Sequence, residues 1–323
     1  MSARMSARPA VPRTIADTGI SAAFLTDLLL KILYRLGMLT GERIAEEIRL
    51  PFPLVDDQLH ALQQRQLLEV RGTGGHGRGG YLFDLTGAGR ERAQEALAAN
   101  SYSGPAPVPL EQYREAVLAQ SIQNVHVTRE SIEEGFRDVV IDPELLNQLG
   151  PAINSAKSLF LYGSSGNGKT LVAESIARLL GGAIYVPFAV TTEGQVMVLF
   201  DPVYHRPADE APPADGEGDV SLWRDLEADY DRRFVRVHRP VAITGGELTL
   251  DQLDLQYDPG SKLYQAPFQM KANGGVLIID DFGRQRVPPR DLLNRWIVPL
   301  EKKRDYLTLH TGSKFPIPVD CLL

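Results

Sequence analysis

One short stretch constrains the fold of this 323-residue chain more than any other. In it, Gly163 and Gly168 enclose four residues and are followed directly by a lysine and a threonine, which is the spacing of a P-loop. An apolar run, Leu159–Tyr162, precedes the stretch, and apolar residues at helical spacing follow it. We therefore expect a buried strand, a glycine-rich turn and a helix that begins near Lys169.

The residue types in this turn suit a bound phosphate. Glycines let backbone N–H groups wrap around phosphate oxygens, and the N-terminal end of the next helix attracts the same anion. Lys169 would neutralise the β- and γ-phosphates, and the hydroxyl of Thr170 would ligate Mg²⁺. A chance match is the alternative, and the flanking strand and helix patterns disfavour it. The predicted nucleotide-binding residues are Gly163, Ser164, Ser165, Gly166, Asn167, Gly168, Lys169 and Thr170.

A second apolar run, Val276–Ile279, ends in the acidic residues Asp280 and Asp281. An unbroken apolar run is typical of a strand buried on both faces, and the carboxyl ends of such strands present ligand-binding groups. Asp280 would hold Mg²⁺ through water, and Asp281 would orient the attacking water. Taken alone, the run is equally compatible with a strand followed by an ordinary aspartate-containing turn and with a metal-binding strand end. A P-loop in the same chain favours the metal-binding role.

The residues around this run also carry a resemblance. Gln269–Asp281 resembles the Walker B segment of AAA+ ATPases, in the branch that contains MoxR-type ATPases, magnesium chelatase and enhancer-binding activators. Asp291–Glu301 is similar to the next helix of that branch. Tyr306–Pro318 is similar to its following hairpin, two short strands about a glycine turn. The resemblance begins at Phe136 and implies an α/β fold with a P-loop and a parallel-sheet core.

The resemblance implies ATP and Mg²⁺ as ligands and a chaperone-like role in remodelling a macromolecular partner, with the chain assembled into a homo-oligomeric ring. The catalytic residues would be Lys169, Asp280 and Asp281, and the metal ligands Thr170 and Asp280. Asp281 stands where these proteins usually have glutamate, and its side chain is one methylene shorter. This departure weakens the case for a water-activating carboxylate.

The sheet of the resembled family has the strand order 5-1-4-3-2. We expect Ala183–Ala189 to be the second core strand, and Gly194–Pro202 to belong to an inserted hairpin that turns at Glu193-Gly194. The fourth strand would begin at Val319–Leu323. The sequence has no residues that match four other features of the family, namely the sensor 1 residue, the arginine finger, the fifth strand and the helical lid. Residues 136–323 are thus expected to form an incomplete core that binds ATP but hydrolyses it weakly.

Residues 21–99 show the pattern of a small α+β winged-helix domain, with three helices, a hairpin and a closing helix. The segment Leu82–Arg92 is similar to the wing exit of bacterial winged-helix regulators. Residues 1–20 are predicted to be disordered, and residues 100–135 to form a linker and an acidic helix, Leu110–Glu134. The predicted elements are helices over Ser21–Gly37, Gly41–Leu50, Leu54–Gln66 and Ala88–Ala99, and strands over Leu67–Arg71 and Tyr81–Leu85.

DNA is disfavoured as the partner of this domain. The formal net charge is −7, and no part of the sequence has the basic excess that binding to a phosphate backbone needs. The candidate recognition helix begins with two acids, Asp56 and Asp57, and only His76 and Arg78 in the wing suit phosphate contact. A protein partner is therefore preferred. The alternatives are a DNA-binding regulator with an ATP-dependent switch and, with less support, a small-molecule kinase.

Composition places the chain in the cytoplasm. Hydrophobic residues make up 43% of the sequence, but no apolar run is long enough to span a membrane. The arginine-containing N-terminus has no apolar core typical of a secretory signal. Cys321 is the single cysteine, which excludes an internal disulfide and fits a reducing compartment.

Overall fold

The computed structural model describes residues 8–137, 139, 141–164, 168–208 and 230–323. It is a mixed α/β structure in which helices pack on parallel and antiparallel sheets. The helices are α1 (Ile15–Thr18), α2 (Ala22–Leu36), α3 (Gly41–Ile48), α4 (Phe52–Gln64), α5 (Gly87–Ala99), α6 (Leu110–Ala119), α7 (Arg129–Gly135), α8 (Pro143–Asn154), α9 (Lys169–Leu179), α10 (Phe268–Lys271) and α11 (Pro289–Lys302). The strands are β1 (Leu39–Thr40), β2 (Leu68–Thr73), β3 (Tyr81–Leu85), β4 (Val108–Pro109), β5 (Ala183–Pro187), β6 (Ala189–Thr192), β7 (Gln195–Val198), β8 (Phe234–His238), β9 (Val241–Thr244), β10 (Gln256–Asp258), β11 (Leu263–Gln265), β12 (Val276–Ile279), β13 (Arg304–Thr308) and β14 (Lys314–Pro318).

The elements predicted for residues 21–99 are present in the predicted order. Ser21 caps α2 by accepting a hydrogen bond from the N–H of Phe24 (3.2 Å), and Gly37 ends the helix with a φ of 81°. Strands β1, β3 and β2 form an antiparallel sheet with β3 in the centre. The apolar faces of α2, α3 and α4 pack together beneath this sheet. We call residues 21–99 the N-terminal unit.

The prediction that residues 1–20 are disordered is wrong for residues 8–20. Helix α1 forms there and begins with a capping box at Thr14. The carbonyl of Thr18 accepts a hydrogen bond from the buried guanidinium of Arg233 (2.7 Å). A contact with a residue so distant in sequence leaves no local pattern, so composition could not reveal it.

The segment predicted as a linker, residues 100–109, is packed rather than free. Ala106 and Val108 are fully buried, and the N–H of Ala106 donates to the carbonyl of Ile48 (2.8 Å). Val108–Pro109 forms β4, which adds to the edge of a sheet by pairing in parallel with β6. Proline is common in linkers but also suits an edge strand, which explains why composition misled here.

The acidic helix predicted over Leu110–Glu134 is interrupted, because α6 ends at Ala119 and α7 begins only at Arg129. At the break, the side chain of Gln120 donates to the carbonyl of Tyr185 (3.1 Å). This bond ties the end of α6 to β5.

A five-stranded sheet, in the order β10-β11-β7-β6-β4, joins the N-terminal unit to the rest of the chain. Strands β6 and β7 form the predicted hairpin, and its turn residues Glu193 and Gly194 have φ values of 50° and 75°. Positive φ at both positions is what a tight type I′ turn requires. Ala189 and Val196 of this hairpin are buried in the same cluster as the helices of the N-terminal unit. The two parts therefore share one core.

Strands β9 and β12 run parallel, with Val241 opposite Val276 and Thr244 opposite Ile279. The prediction that Ala183–Ala189 is the second core strand is therefore wrong. That run, as β5, pairs antiparallel with β8 instead. Both β5 and β9 are short and apolar, so hydrophobicity alone does not distinguish which of them lies beside β12.

Leu322 and Leu323 lie along the other edge of β12. The N–H of Leu277 donates to the carbonyl of Leu322 (2.8 Å), and Leu322 forms a parallel bridge with Val276. The N–H of Leu159 donates to the carbonyl of Leu323 (2.8 Å). Four segments consequently lie side by side in the order 159–162, 322–323, β12 and β9.

Gly275 allows β12 to lie against the start of β9. A Cβ at this position would lie 2.0 Å from the carbonyl oxygen of Pro240, far inside the contact distance of the two atoms. The N–H of Val276 donates to that same carbonyl (2.9 Å). The close approach of the two strands therefore requires glycine at residue 275.

The helix and the hairpin predicted downstream of β12 are both present. Helix α11 covers the predicted Asp291–Glu301, and β13 and β14 pair about a turn in which Gly312 has a φ of 89°. Arg295 of α11 forms an ion pair with the buried Asp305 of β13 (2.6 Å). This pair fastens the helix to the hairpin.

Candidate functional site

The glycine-rich loop leads from residues 159–162 into α9. Gly163 and Gly168 have φ values of 148° and 70°, which L side chains rarely adopt. Helix α9 begins at Lys169, as predicted, so its unpaired N–H groups lie at the loop. Ser165, Gly166 and Asn167 lie outside the described residues, and their role in phosphate binding stays a prediction.

The side chain of the half-buried Lys169 turns back onto its own loop. Its Nζ donates to the carbonyls of Gly163 (3.1 Å) and Ser164 (2.9 Å). An ammonium group carries three donors, and a phosphate oxygen adds to the hydrogen bond an attraction between opposite charges that a neutral carbonyl does not offer. Phosphate oxygens would therefore compete well for Lys169 against these two neutral carbonyls.

The threonine of the loop meets the first acid after β12. The Oγ1 atom of Thr170 donates to Oδ2 of Asp280 at 2.8 Å, although the two residues are 110 positions apart in the sequence. Helix α9 supplies the hydroxyl and the carboxyl end of β12 supplies the carboxylate. The structure thus brings together the two residues that were predicted as metal ligands.

A hydroxyl and a carboxylate are the hard oxygen ligands that Mg²⁺ prefers, so this donor set fits that ion. Across the part of the chain that the structure describes, no group of three or more His, Cys, Asp or Glu side chains gathers as an all-protein metal site. Mg²⁺ is commonly held by one or two carboxylates together with substrate phosphates. Thr170 and Asp280 match that mode of binding.

Asp280 is oriented by its neighbours on both sides. Its N–H donates to the carbonyl of Thr244 at the end of β9 (2.8 Å), and its Oδ1 accepts from the N–H of Asp281 (2.8 Å). Asp281 has a φ of 51° and is exposed. The structure therefore places the carboxylate of Asp280 beside Thr170 and leaves that of Asp281 at the solvent-facing rim.

The segment before the loop differs from its prediction as a buried strand. No strand is assigned to Leu159–Tyr162, and the side chains of Phe160 and Tyr162 are 69% and 87% exposed. Leu159 and Leu161 pack into the core beside α9, so one face of the segment is covered and the other, with Phe160 and Tyr162, is exposed. Because the backbone partner described for this segment is the carbonyl of Leu323, the segment is not enclosed as a central strand would be.

A cavity of about 610 Å³ lies between this segment, β12 and α11. The ring of Phe160 meets that of Phe282 edge-on at a centroid distance of 5.9 Å on its wall. Concave and largely apolar spaces with a few polar groups are typical ligand sites. The predicted site residues that line it are Gly163, Lys169, Thr170, Asp280 and Asp281.

Two further polar side chains, beyond the ends of β12 and β9, were not predicted. Gln285 is buried and donates to the carbonyl of Asp280 (2.7 Å). Glu247, beyond the end of β9, accepts from the N–H of Gly245 (2.9 Å), and this bond holds the pKa of the Glu247 carboxyl below its usual range. Neither residue belongs to a motif. The only signal for Glu247 is its place just after β9, the strand that pairs with β12.

The face of the N-terminal unit considered for DNA is internally paired. The Nε atom of Arg78 in the wing donates to both carboxylate oxygens of Asp56 on α4 (2.9 and 2.7 Å). Arg71 pairs with Glu69 on β2 (2.5 Å). These contacts leave less positive charge for a phosphate backbone.

A scan against models of protein families finds no family that matches this chain. A search among curated proteins finds no match either. Within the described ranges, no helix has both the length and the apolar character needed to cross a membrane. The function of the chain is consequently argued from the chemistry of the site.

Proposed function

We propose that this chain binds ATP and Mg²⁺ as an AAA+ ATPase and couples nucleotide binding and hydrolysis to the remodelling of a macromolecular partner. The observation that carries the proposal is the 2.8 Å hydrogen bond from Thr170 to Asp280. At Mg–O distances of about 2.0–2.1 Å, two oxygen ligands of one Mg²⁺ ion lie within about 4 Å of each other, and these two oxygens already do. Lys169, at the start of the same helix, supplies the cation for the phosphates.

The arrangement of the elements around the site supports the AAA+ assignment. The order 159–162, 322–323, β12 and β9 agrees with the order 1-4-3-2 expected from the resemblance, with β9 in place of the run first predicted. The inserted hairpin, the helix after β12 and the second hairpin also occupy the expected positions in the chain.

Each residue of the site has a distinct role in this proposal. The loop N–H groups and the start of α9 bind the phosphates, and Lys169 neutralises their charge. Thr170 and Asp280 hold Mg²⁺, which when bound polarises the phosphate oxygens. The carboxylate of Asp281 orients the attacking water, with a shorter reach than a glutamate would have.

We propose a protein, rather than DNA, as the remodelled partner, and a homo-oligomer as the working assembly. The alternative function, a DNA-binding regulator, would need free cations in the wing, but Arg78 is occupied by Asp56. The reduced, buried thiol of Cys321 suits a cytoplasmic location.

Equilibrium binding of a fluorescent N-methylanthraniloyl-ATP in the presence of Mg²⁺ tests the proposal. Lys169→Ala should weaken binding by about 10- to 100-fold, because a hydrogen bond to a charged group contributes about 1.5–3 kcal/mol. The exposed Lys157 provides the control, and Lys157→Ala should leave the affinity unchanged. A wild-type chain that does not bind, or a Lys169→Ala variant that binds equally well, would refute the proposal.

A further inference from the structure

The turn that follows β12 carries both candidate carboxylates, and one buried glutamine closes it. Gln285 is 9% exposed. Its Nε2 donates to the backbone carbonyl of Asp280 (2.7 Å), and its Oε1 accepts from the N–H of Gly283 (2.7 Å). A single planar amide therefore holds the turn at two points.

The backbone of this turn needs such a restraint. Asp281 has a φ of 51°, in the left-handed region that residues other than glycine seldom adopt. In this conformation its N–H is bonded to Oδ1 of Asp280 (2.8 Å), while its carbonyl accepts from the N–H of Arg284 (2.9 Å). If Asp281 relaxed to a negative φ while its neighbours stayed in place, the Asp280–Asp281 peptide would have to rotate in compensation. The carboxylate of Asp280 would then lose an orienting hydrogen bond.

We propose that Gln285 is a positioning residue that orients the carboxylate of Asp280 toward Mg²⁺, an inference that rests on the proposed function. Oδ2 of Asp280 accepts from Thr170 and Oδ1 accepts from Asp281, so the loop and the turn together set the plane of the carboxylate. Both hydrogen bonds described for Gln285 are made to the turn. Gln285 therefore acts on the binding of the metal and not on that of the nucleotide itself.

The experiment measures the affinity for N-methylanthraniloyl-ATP in EDTA and then its dependence on Mg²⁺ concentration. Gln285→Met keeps the volume of the side chain and removes both hydrogen bonds. Its half-saturating Mg²⁺ concentration should rise by about 10- to 100-fold, the effect typical of removing a partner behind a metal ligand. Its affinity in EDTA should match that of the wild type. Gln285→Leu serves the same purpose if the methionine variant does not fold.

The control variants distinguish a failure of the proposed function from a failure of the inference about Gln285 alone. Asp280→Asn should abolish the Mg²⁺ dependence, and Lys169→Ala should weaken binding with and without Mg²⁺. Absence of nucleotide binding by the wild type would overturn the proposed function and this inference together. Normal wild-type binding with an unchanged Mg²⁺ curve in Gln285→Met would overturn the inference alone. An equal loss in EDTA and in Mg²⁺ would also overturn it, because that is the effect of a general structural defect.

Discussion

Replacing Arg233 tests whether a buried ion pair fastens the N-terminal segment to the rest of the chain. Arg233 and Asp231 are 1% and 2% exposed, and the guanidinium donates to the carboxylate from Nε (3.1 and 3.0 Å) and Nη2 (2.7 Å). Nη1 also donates to the carbonyl of Thr18 (2.7 Å), and Nη2 to the side chain of Gln112 (3.0 Å). One side chain thus joins α1, α6 and the start of β8.

The size of the effect follows from these contacts. Arg233→Met removes the cation but keeps an apolar stem, so Asp231 stays buried without its counter-ion. Breaking a buried pair in this way costs about 3–5 kcal/mol of the free energy of unfolding. The double variant Arg233→Met/Asp231→Leu removes both charges and should recover part of that loss. Recovery should be incomplete, because Thr18 and Gln112 still lose their donor.

Equilibrium unfolding in urea measures these differences in the free energy of unfolding, provided that the slope of this free energy against urea concentration is the same in all variants. The matched control is Arg129→Met, since Arg129 pairs with Glu133 (2.9 Å) where both side chains are exposed. Exposed pairs contribute about 0–1 kcal/mol, so the control should unfold almost as the wild type does. If Arg233→Met cost no more than this control, the ion pair would not be the fastening that we infer.

Three further predictions concern buried groups. Burial lowers the pKa of His205 to about 4, so the unfolded state, with a histidine pKa near 6.5, takes up a proton first as the pH falls. The free energy of unfolding should therefore drop by about 3 kcal/mol between pH 6.5 and pH 4. In urea unfolding, His205→Gln should remove this drop, whereas His76→Gln, at an exposed site, should keep it. Gly275→Ala should destabilise the chain by about 3 kcal/mol or prevent folding, whereas thermal melting of Gly87→Ala, where a Cβ meets nothing within 4 Å, should match the wild type. Burial raises the pKa of Cys321 to about 12, so Ellman's reagent should label it only after unfolding in urea; rapid labelling of the native chain would contradict the burial.

The features that sequence predicts well are those whose cause is local. Ser21 and Gly37 bound α2 because a cap and a left-handed residue act on their own helix. The turn at Glu193 and Gly194 is set by two residues that tolerate a positive φ. For the same reason, α9 begins at the predicted residue, Lys169.

The features that sequence misses depend on partners far away in the chain. The pairing of β9 rather than β5 with β12 includes a close approach of Gly275 to Pro240, a long-range contact that no periodicity encodes. The segment 100–109 is ordered by contacts with α3 and β6 and not by its own composition. Gln285 carries no signal in the sequence, because its hydrogen bonds to Gly283 and Asp280 follow from the turn that it closes and not from a motif spacing.

The contact between the P-loop and the acidic end of β12 supports a functional site more strongly than either motif does alone. A glycine-rich turn can match a P-loop by chance, and an apolar strand followed by two acids is common. Two accidental matches would have no reason to bring the hydroxyl of Thr170 within 2.8 Å of the carboxylate of Asp280 across 110 residues of sequence. The contact needs α9, β12 and β9 in one relative arrangement, and in that arrangement the loop lysine and both carboxylates line a single cavity. Phosphate and Mg²⁺ chemistry needs only these few groups in place, so a site of this kind can be argued from its geometry where overall sequence similarity offers no guide.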